Sequence, residues 1–130
     1  MSRERIDILF VDDEKELLAV MGEYLRQQGF VVQTALDASQ AMETLDRNNV
    51  GMVLLDINLA GEDGTKFLPF LRKNHRDTSV VVYTGESHTD QQVKEMMANG
   101  VARYVSKSLP PQALLFVLRE VMAAQQPPPG

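Results

Sequence analysis

Cysteine is missing from this 130-residue chain, so disulfide frameworks, thiolate metal sites and thiol nucleophiles are all excluded. No apolar run comes near the ~20 residues that a membrane-crossing helix requires. The first residues, Met1 to Asp7, also lack the pattern of a secretion signal. A cytoplasmic protein without a membrane role is the default expectation. Positive charge is in short supply too: 13 Lys and Arg stand against 18 Asp and Glu, a net charge of −5. That balance favours solubility and argues against direct binding of nucleic acid. No G-x-x-x-x-G-K-[ST] run occurs, which removes a nucleotide P-loop, and there is no internal repeat.

What the chain does contain is ordinary globular material. A hydrophobic share of 44% and a charged share of 24% argue against disorder, and the length suits one domain around one core. Five short apolar runs, Ile6–Val11, Val31–Ala35, Met52–Leu55, Val80–Tyr83 and Val101–Val105, alternate with five amphipathic stretches. Leu17, Met21 and Leu25 carry the first helix; Ala38, Ala41, Met42 and Leu45 the second; Phe67, Leu68 and Leu71 a shorter third. Val93, Met96, Met97 and Gly100 mark the fourth, and Leu114, Val117, Leu118 and Val121 the fifth. Asp13 to Glu16 and Asp37 to Gln40 both read as capping boxes. Gly29 and Gly100 stand where helices should stop, and Pro111 suits a first helical position. Residues 1–124 therefore read as one domain, and 125–130, with three consecutive prolines, as a tail or linker that packs weakly.

Strict alternation of strand and helix predicts an α/β fold: parallel strands, right-handed crossovers, helices on both faces. Runs one, three and four are nearly continuous Val, Ile, Leu and Phe, as strands buried on both faces should be. Runs two and five are interrupted by Gln33 and Arg103, as edges should be. This is the 2-1-3-4-5 order of flavodoxin-like doubly wound sheets, in which ligands gather at the carboxyl ends of the strands beside the switch point.

Chemistry-bearing residues stand at those ends. Strand one runs into Asp12-Asp13, strand three into Asp56 and strand four into Thr84, while Lys107 follows strand five. Carboxylates crowded together repel unless a cation lies among them. An all-oxygen set that leaves room for water and phosphate oxygens suits Mg²⁺ better than a dedicated Ca²⁺ cage. A lysine and a hydroxyl beyond it could meet phosphoryl oxygens, which is most of what phosphoryl transfer asks of a protein. Each residue alone has a plainer account: Asp13 as a helix cap, Asp56 as a loop starter, Thr84 as a strand residue, Lys107 as a surface charge. Their joint placement at four neighbouring strand ends does not.

The segments Leu9-Phe-Val-Asp-Asp-Glu14, Val53-Leu-Leu-Asp-Ile-Asn-Leu59, Asp63-Gly64, Val82-Tyr-Thr-Gly85 and Tyr104-Val-Ser-Lys107 resemble the signature of response-regulator receiver domains. The likeness spans about residues 5–124. It implies that Asp56 is the phosphoacceptor. Mg²⁺ would be bound directly by Asp13, through water by Asp12, and by Asp56 and the backbone carbonyl of Asn58. It further implies that Thr84 and Lys107 meet the incoming phosphoryl oxygens and that Tyr104 is the rotamer reporter of the switch. The implied partners are a sensor histidine kinase or phosphotransfer protein, with output through the face of the fourth helix, fifth strand and fifth helix to an output domain or a second copy.

The sequence departs from the family pattern at two places. Ser108 follows Lys107 where the family usually has a cis proline, and a trans bond is expected because a non-proline cis bond costs about 2.5–4 kcal/mol. Ala60 replaces a common proline, an expected loosening of the Leu59–Asp63 loop. His75 and His88 read as surface or capping residues, and Met96 and Met97 as core and flank. Two other functions compete: a phosphohydrolase working through an aspartyl-phosphate, and a degenerate receiver used only for binding. The first would place Asp-x-Asp after strand one, where Asp12-Asp13-Glu14 stands, and would need a cap insertion that the chain lacks. The second would have lost a key side chain, and all are present. The expectation is a switch and not an enzyme acting on an external substrate.

Overall fold

The computed structural model describes residues 3–59 and 61–125. Five strands form the main sheet: β1 (Arg5–Val11), β2 (Val32–Ala35), β3 (Asn49–Leu55), β4 (Ser79–Thr84) and β5 (Val101–Ser106). Five helices connect or follow them: α1 (Lys15–Gln27), α2 (Ala38–Arg47), α3 (Leu68–Asn74), α4 (Asp90–Ala98) and α5 (Pro111–Gln125). All strand pairs in the sheet are parallel and their order is β2-β1-β3-β4-β5, so the flavodoxin-like arrangement holds. Among the described residues no helix is long and apolar enough to cross a membrane.

Burial explains the order. Strands β1, β3 and β4 are buried along nearly their whole length, as central strands covered on both faces must be. Strand β2 exposes Gln33 and Thr34 between buried Val32 and Ala35, and β5 keeps Arg103 and Tyr104 half-buried. Alternate side chains feed two cores. Leu9, Val53, Leu55 and Val82 pack with Leu45, Leu71 and Met96 from α2, α3 and α4. Phe10, Leu54, Val81 and Tyr83 pack with Leu25 from α1 and Leu114 and Leu118 from α5.

Helix boundaries mix agreement with correction. Asp37 caps α2 by accepting the Gln40 N–H at 2.8 Å, but the Gln40 side chain accepts the N–H of Leu36, not that of Asp37. The cap of α1 falls at Glu14, one residue past Asp13, and Glu14 makes no side-chain capping bond, because Asp12 still belongs to the ladder, donating its N–H to Ala35 O at 3.1 Å. That delays the helix by a residue, and the Asp12 carboxylate instead accepts the Glu14 N–H at 2.9 Å. A complete box does form at α4, between Thr89 and Gln92. Gly29 and Gly100 follow α1 and α4 with φ of 101° and 100°, the left-handed conformation that glycine adopts without a Cβ clash. Met96 is buried while Met97 is exposed.

Between β3 and α3 the chain forms a short antiparallel ladder, Asn58–Leu59 against Glu62–Asp63, then a 3₁₀ turn at Gly64–Phe67. Ala60 lies outside the described residues, but its flanks are paired. Every described peptide bond is trans, Lys107–Ser108 included. Gln125, placed in the tail by the sequence, is the last residue of α5. Its Nε2 donates to Gly51 O at 2.6 Å and to Ser79 Oγ at 2.7 Å. Residues 126–130 and their expected weak packing lie outside the described residues.

Candidate functional site

The sheet register delivers the site. Val11 pairs with Leu55, and Leu55 with Val82, so Asp12 and Asp56 emerge side by side at the switch point. The ladder continues into the site itself, since the Asp56 N–H reaches Val11 O at 3.0 Å and the Lys107 N–H reaches Thr84 O at 2.8 Å. Asp12, Asp56 and Thr84 are buried polar residues in an otherwise apolar interior.

Lys107 is the hub. Its Nζ lies 2.8 Å from Asp12 Oδ2, 3.1 Å from Asp56 Oδ2 and 3.2 Å from Glu14 Oε1. The contact to Asp12 is a close, buried ion pair. Burial raises the Asp12 carboxyl above its ordinary value of 3.8, against the opposing pull of Lys107 and the Glu14 N–H. Burial alone would lower Lys107, but hydrogen bonding and attraction from Asp12 and Asp56 outweigh it and hold the ammonium well above its usual range. The other Asp56 oxygen accepts the Asn58 N–H at 3.1 Å. Thr84 Oγ1 accepts the Glu86 N–H at 3.2 Å.

One oxygen each from Asp12, Asp13, Glu14 and Asp56 falls within 4.8 Å of the others. An all-carboxylate cluster whose four oxygens crowd together fits a hard divalent cation that prefers oxygen ligands. Asp12, Asp13, Asp56, Thr84 and Lys107 thus share one rim. Asn58 joins them through its backbone, while its side chain donates to Glu86 Oε1 at 2.9 Å. Tyr104 stands further along β5, its hydroxyl donating to Glu86 O at 3.0 Å.

Sequence reasoning missed three neighbours. Glu14 shares Lys107, although it lies inside the first motif. Glu86 is linked to Asn58, Thr84 and Tyr104. His88, read as inert, contacts Tyr104. His75 fits its expected capping place at the end of α3, with its N–H on Leu71 O and its ring tilted against Phe70. A broad groove between α3 and α4, lined by Leu68, Arg72, His88, Gln92 and Met96, lies beside the carboxylates and not over them.

Gly64 shapes the wall of the site. Its N–H donates to Ile57 O, and a Cβ there would stand 2.7 Å from Asp56 O and 2.9 Å from Ile57 Cα. Both are backbone atoms, so relief would require the end of β3 to move. Gly64→Ala is expected to destabilise the fold by about 1–3 kcal/mol, the usual range for overpacking, and to shift the Asp56 amide resonance. An unchanged urea midpoint would show that the turn absorbs the methyl group.

A doubly wound parallel sheet with an acidic cluster and a lysine at its switch point defines the class. The chain belongs to the response regulator receiver domain family of two-component signalling, whose profile matches residues 8–119. It is 34% identical over 116 residues to the transcriptional regulatory protein PrrA of Mycobacterium tuberculosis, covering 89% of this chain and 46% of PrrA. The chain therefore spans about half the length of that relative. Among solved structures it resembles a CheY-like receiver domain protein from Methanospirillum hungatei JF-1, with TM-score 0.83, 26% identity, and 95% and 97% of the two chains covered. The BeF3-activated N-terminal receiver domain of Klebsiella pneumoniae RstA is also similar, with TM-score 0.81, 29% identity, and 89% and 97% covered.

Proposed function

We propose that this domain is a phosphorylation switch whose phosphoacceptor is Asp56. The observation that carries the reading is the placement of Asp56. It is buried at the switch point, with one oxygen on the Asn58 N–H and the other on the Lys107 ammonium. The donor is a histidine kinase or a phosphotransfer protein. A carboxylate oxygen of Asp56 forms the new O–P bond as the N–P bond of the phosphohistidine breaks, and the departing imidazole keeps the N–P electron pair and takes up a proton. Asp12, Asp13, Asp56 and the Asn58 carbonyl would hold Mg²⁺, which supplies charge neutralisation for the phosphoryl oxygens when bound. Lys107 turns from the carboxylates to one phosphoryl oxygen, and the Thr84 hydroxyl donates to another.

The added group carries about −1.5 to −2 charge and three acceptor oxygens. Hydrogen bonds involving charged groups contribute about 1.5–3 kcal/mol each, so two bring roughly 3–6 kcal/mol. Moving a population from 1:99 to 99:1 takes about 5.5 kcal/mol, and a partial shift is the expected response. Tyr104 reports it, and the α4–β5–α5 face transmits it to an output domain or a second copy, in the cytoplasm and without direct contact to nucleic acid. Turnover is confined to the domain's own phosphoryl group, so generic phosphate esters should remain intact.

RstA, a similar domain, was obtained in a BeF3-activated form, which supports the reading. The test is intact mass after treatment with acetyl phosphate and Mg²⁺. One phosphoryl group is expected on the wild type, and none after EDTA or in Asp56→Asn. Undiminished phosphate on the Asn variant would overturn the assignment.

A further inference from the structure

His88 sits in the loop between β4 and α4, half-buried, four residues after Thr84 and one before the Thr89 cap. Its Nδ1 lies 2.9 Å from the Tyr104 hydroxyl and 3.1 Å from Glu86 O. The two rings meet edge to face at 5.5 Å and 77°. The Tyr104 hydroxyl is thus held from two sides, by the Glu86 carbonyl at 3.0 Å and by the imidazole. A hydroxyl carries one proton and two acceptor lone pairs. With Nδ1–H donating to the tyrosine oxygen and the hydroxyl donating to Glu86 O, every group in the triad is satisfied. With Nδ1 bare, the hydroxyl donates to it instead. Both tautomers leave a hydrogen bond between β5 and the loop.

The loop begins at Thr84, whose Oγ1 accepts the Glu86 N–H. Thr84, Glu86, His88 and Tyr104 therefore form one continuous chain of contacts. It runs from the buried end of β4 to β5, and its Glu86 and His88 links come from residues outside the motif set. The edge-on ring contact adds packing directionality to the hydrogen bond. We propose that His88 is a positioning residue for the switch: by holding the Tyr104 hydroxyl against the β4–α4 loop, it makes the tyrosine follow that loop when Thr84 engages a phosphoryl group. The inference rests on the reading of Asp56 and Tyr104 as acceptor and reporter.

Three-bond couplings from the backbone nitrogen and carbonyl carbon to Tyr104 Cγ give its χ1 rotamer populations directly, free of ring-current effects from the imidazole. The chain has three tyrosines, and Tyr104→Phe identifies the signal. In the unmodified wild type the couplings should fit one dominant rotamer. His88→Leu keeps bulk but removes the polar atom, and should change the rotamer ratio by about two- to tenfold, the range that one net hydrogen bond provides. His88→Asn places a polar atom where Nδ1 stands and should restore wild-type couplings. Labelling of Asp56 by acetyl phosphate should persist in both variants. Beryllofluoride should move the Tyr104 rotamer in the wild type, and less in His88→Leu.

Wild-type couplings in His88→Leu would overturn the role of His88 alone. Failure of Asn to restore them would reduce His88 to packing and overturn it as well. A wild-type Tyr104 that ignores beryllofluoride while Asp56 is labelled would instead remove Tyr104 as the reporter, and the inference with it. Loss of labelling in the wild type would remove the acceptor reading itself.

Discussion

Lys107→Met should lower unfolding stability by about 3 kcal/mol at pH 7 in EDTA, near the low end of what breaking a buried ion pair costs. Lys107 is the cation shared by fully buried Asp12, nearly buried Asp56 and exposed Glu14. Without it, two interior carboxylates face each other with no counter-charge. Part of the penalty is relieved because burial already pushes Asp12 toward its protonated form, and loss of the lysine pushes it further. A chain of this length loses roughly 3–5 °C of Tm per kcal/mol, so the variant should melt about 10 °C lower. The deficit should narrow as pH falls and Asp12, raised by burial, takes up its proton. Lys107→Arg, which keeps the charge, should recover much of the loss. Equal melting of wild type and Lys107→Met across this range would mean that the cluster is already neutralised in some other way.

Mg²⁺ should produce the opposite displacement. At a hundred times its dissociation constant, an ion that binds only the folded state stabilises by about 2.7 kcal/mol, again close to 10 °C. Asp13→Asn should remove most of that gain while leaving the core intact, because Asp13 is an exposed member of the carboxylate set. The pH sign follows from Asp12. Its folded value lies above 3.8, so the folded state retains a proton that the unfolded chain releases. Metal-free stability must therefore fall as pH rises from 3.8 through that raised value. The metal requires the deprotonated form, so its benefit grows over the same window. Melts with EDTA or Mg²⁺ at pH 5 and 7.5 check both signs. A gain that is equal at the two pH values, or undiminished in Asp13→Asn, would place the ion elsewhere.

The sheet order was legible because the apolar runs differ in continuity. Unbroken Val53-Leu54-Leu55 and Val80-Val81-Val82 can only be central, whereas Gln33 and Arg103 expose their strands. Asp12, Asp56, Thr84 and Lys107 were legible for the same reason, since each follows a strand whose register is fixed by that burial. Local capping was less so. Asp13 has the right spacing for a box, but the β1 ladder runs through Asp12 and the helix cap falls at Glu14, a tertiary effect that spacing does not carry. Thr89-Asp90-Gln91-Gln92 has the spacing as well, and there the box is complete. His88 was beyond sequence reading, because its partner Tyr104 comes from another strand sixteen residues on. Neither residue announces the other.

Gln125 has a mechanical consequence. Its side chain fastens the last turn of α5 to Gly51 and Ser79, at the amino ends of β3 and β4, while Pro111 begins the helix just past the Lys107 loop. Fifteen residues of helix span about 22 Å. The element is thus pinned at one rim of the sheet and begins, at Pro111, four residues past Lys107 at the other. A rigid rod held in this way pivots. A push at the Lys107 end is expected to tilt the helix about the Gln125 pin, against the core packing of Leu114 and Leu118.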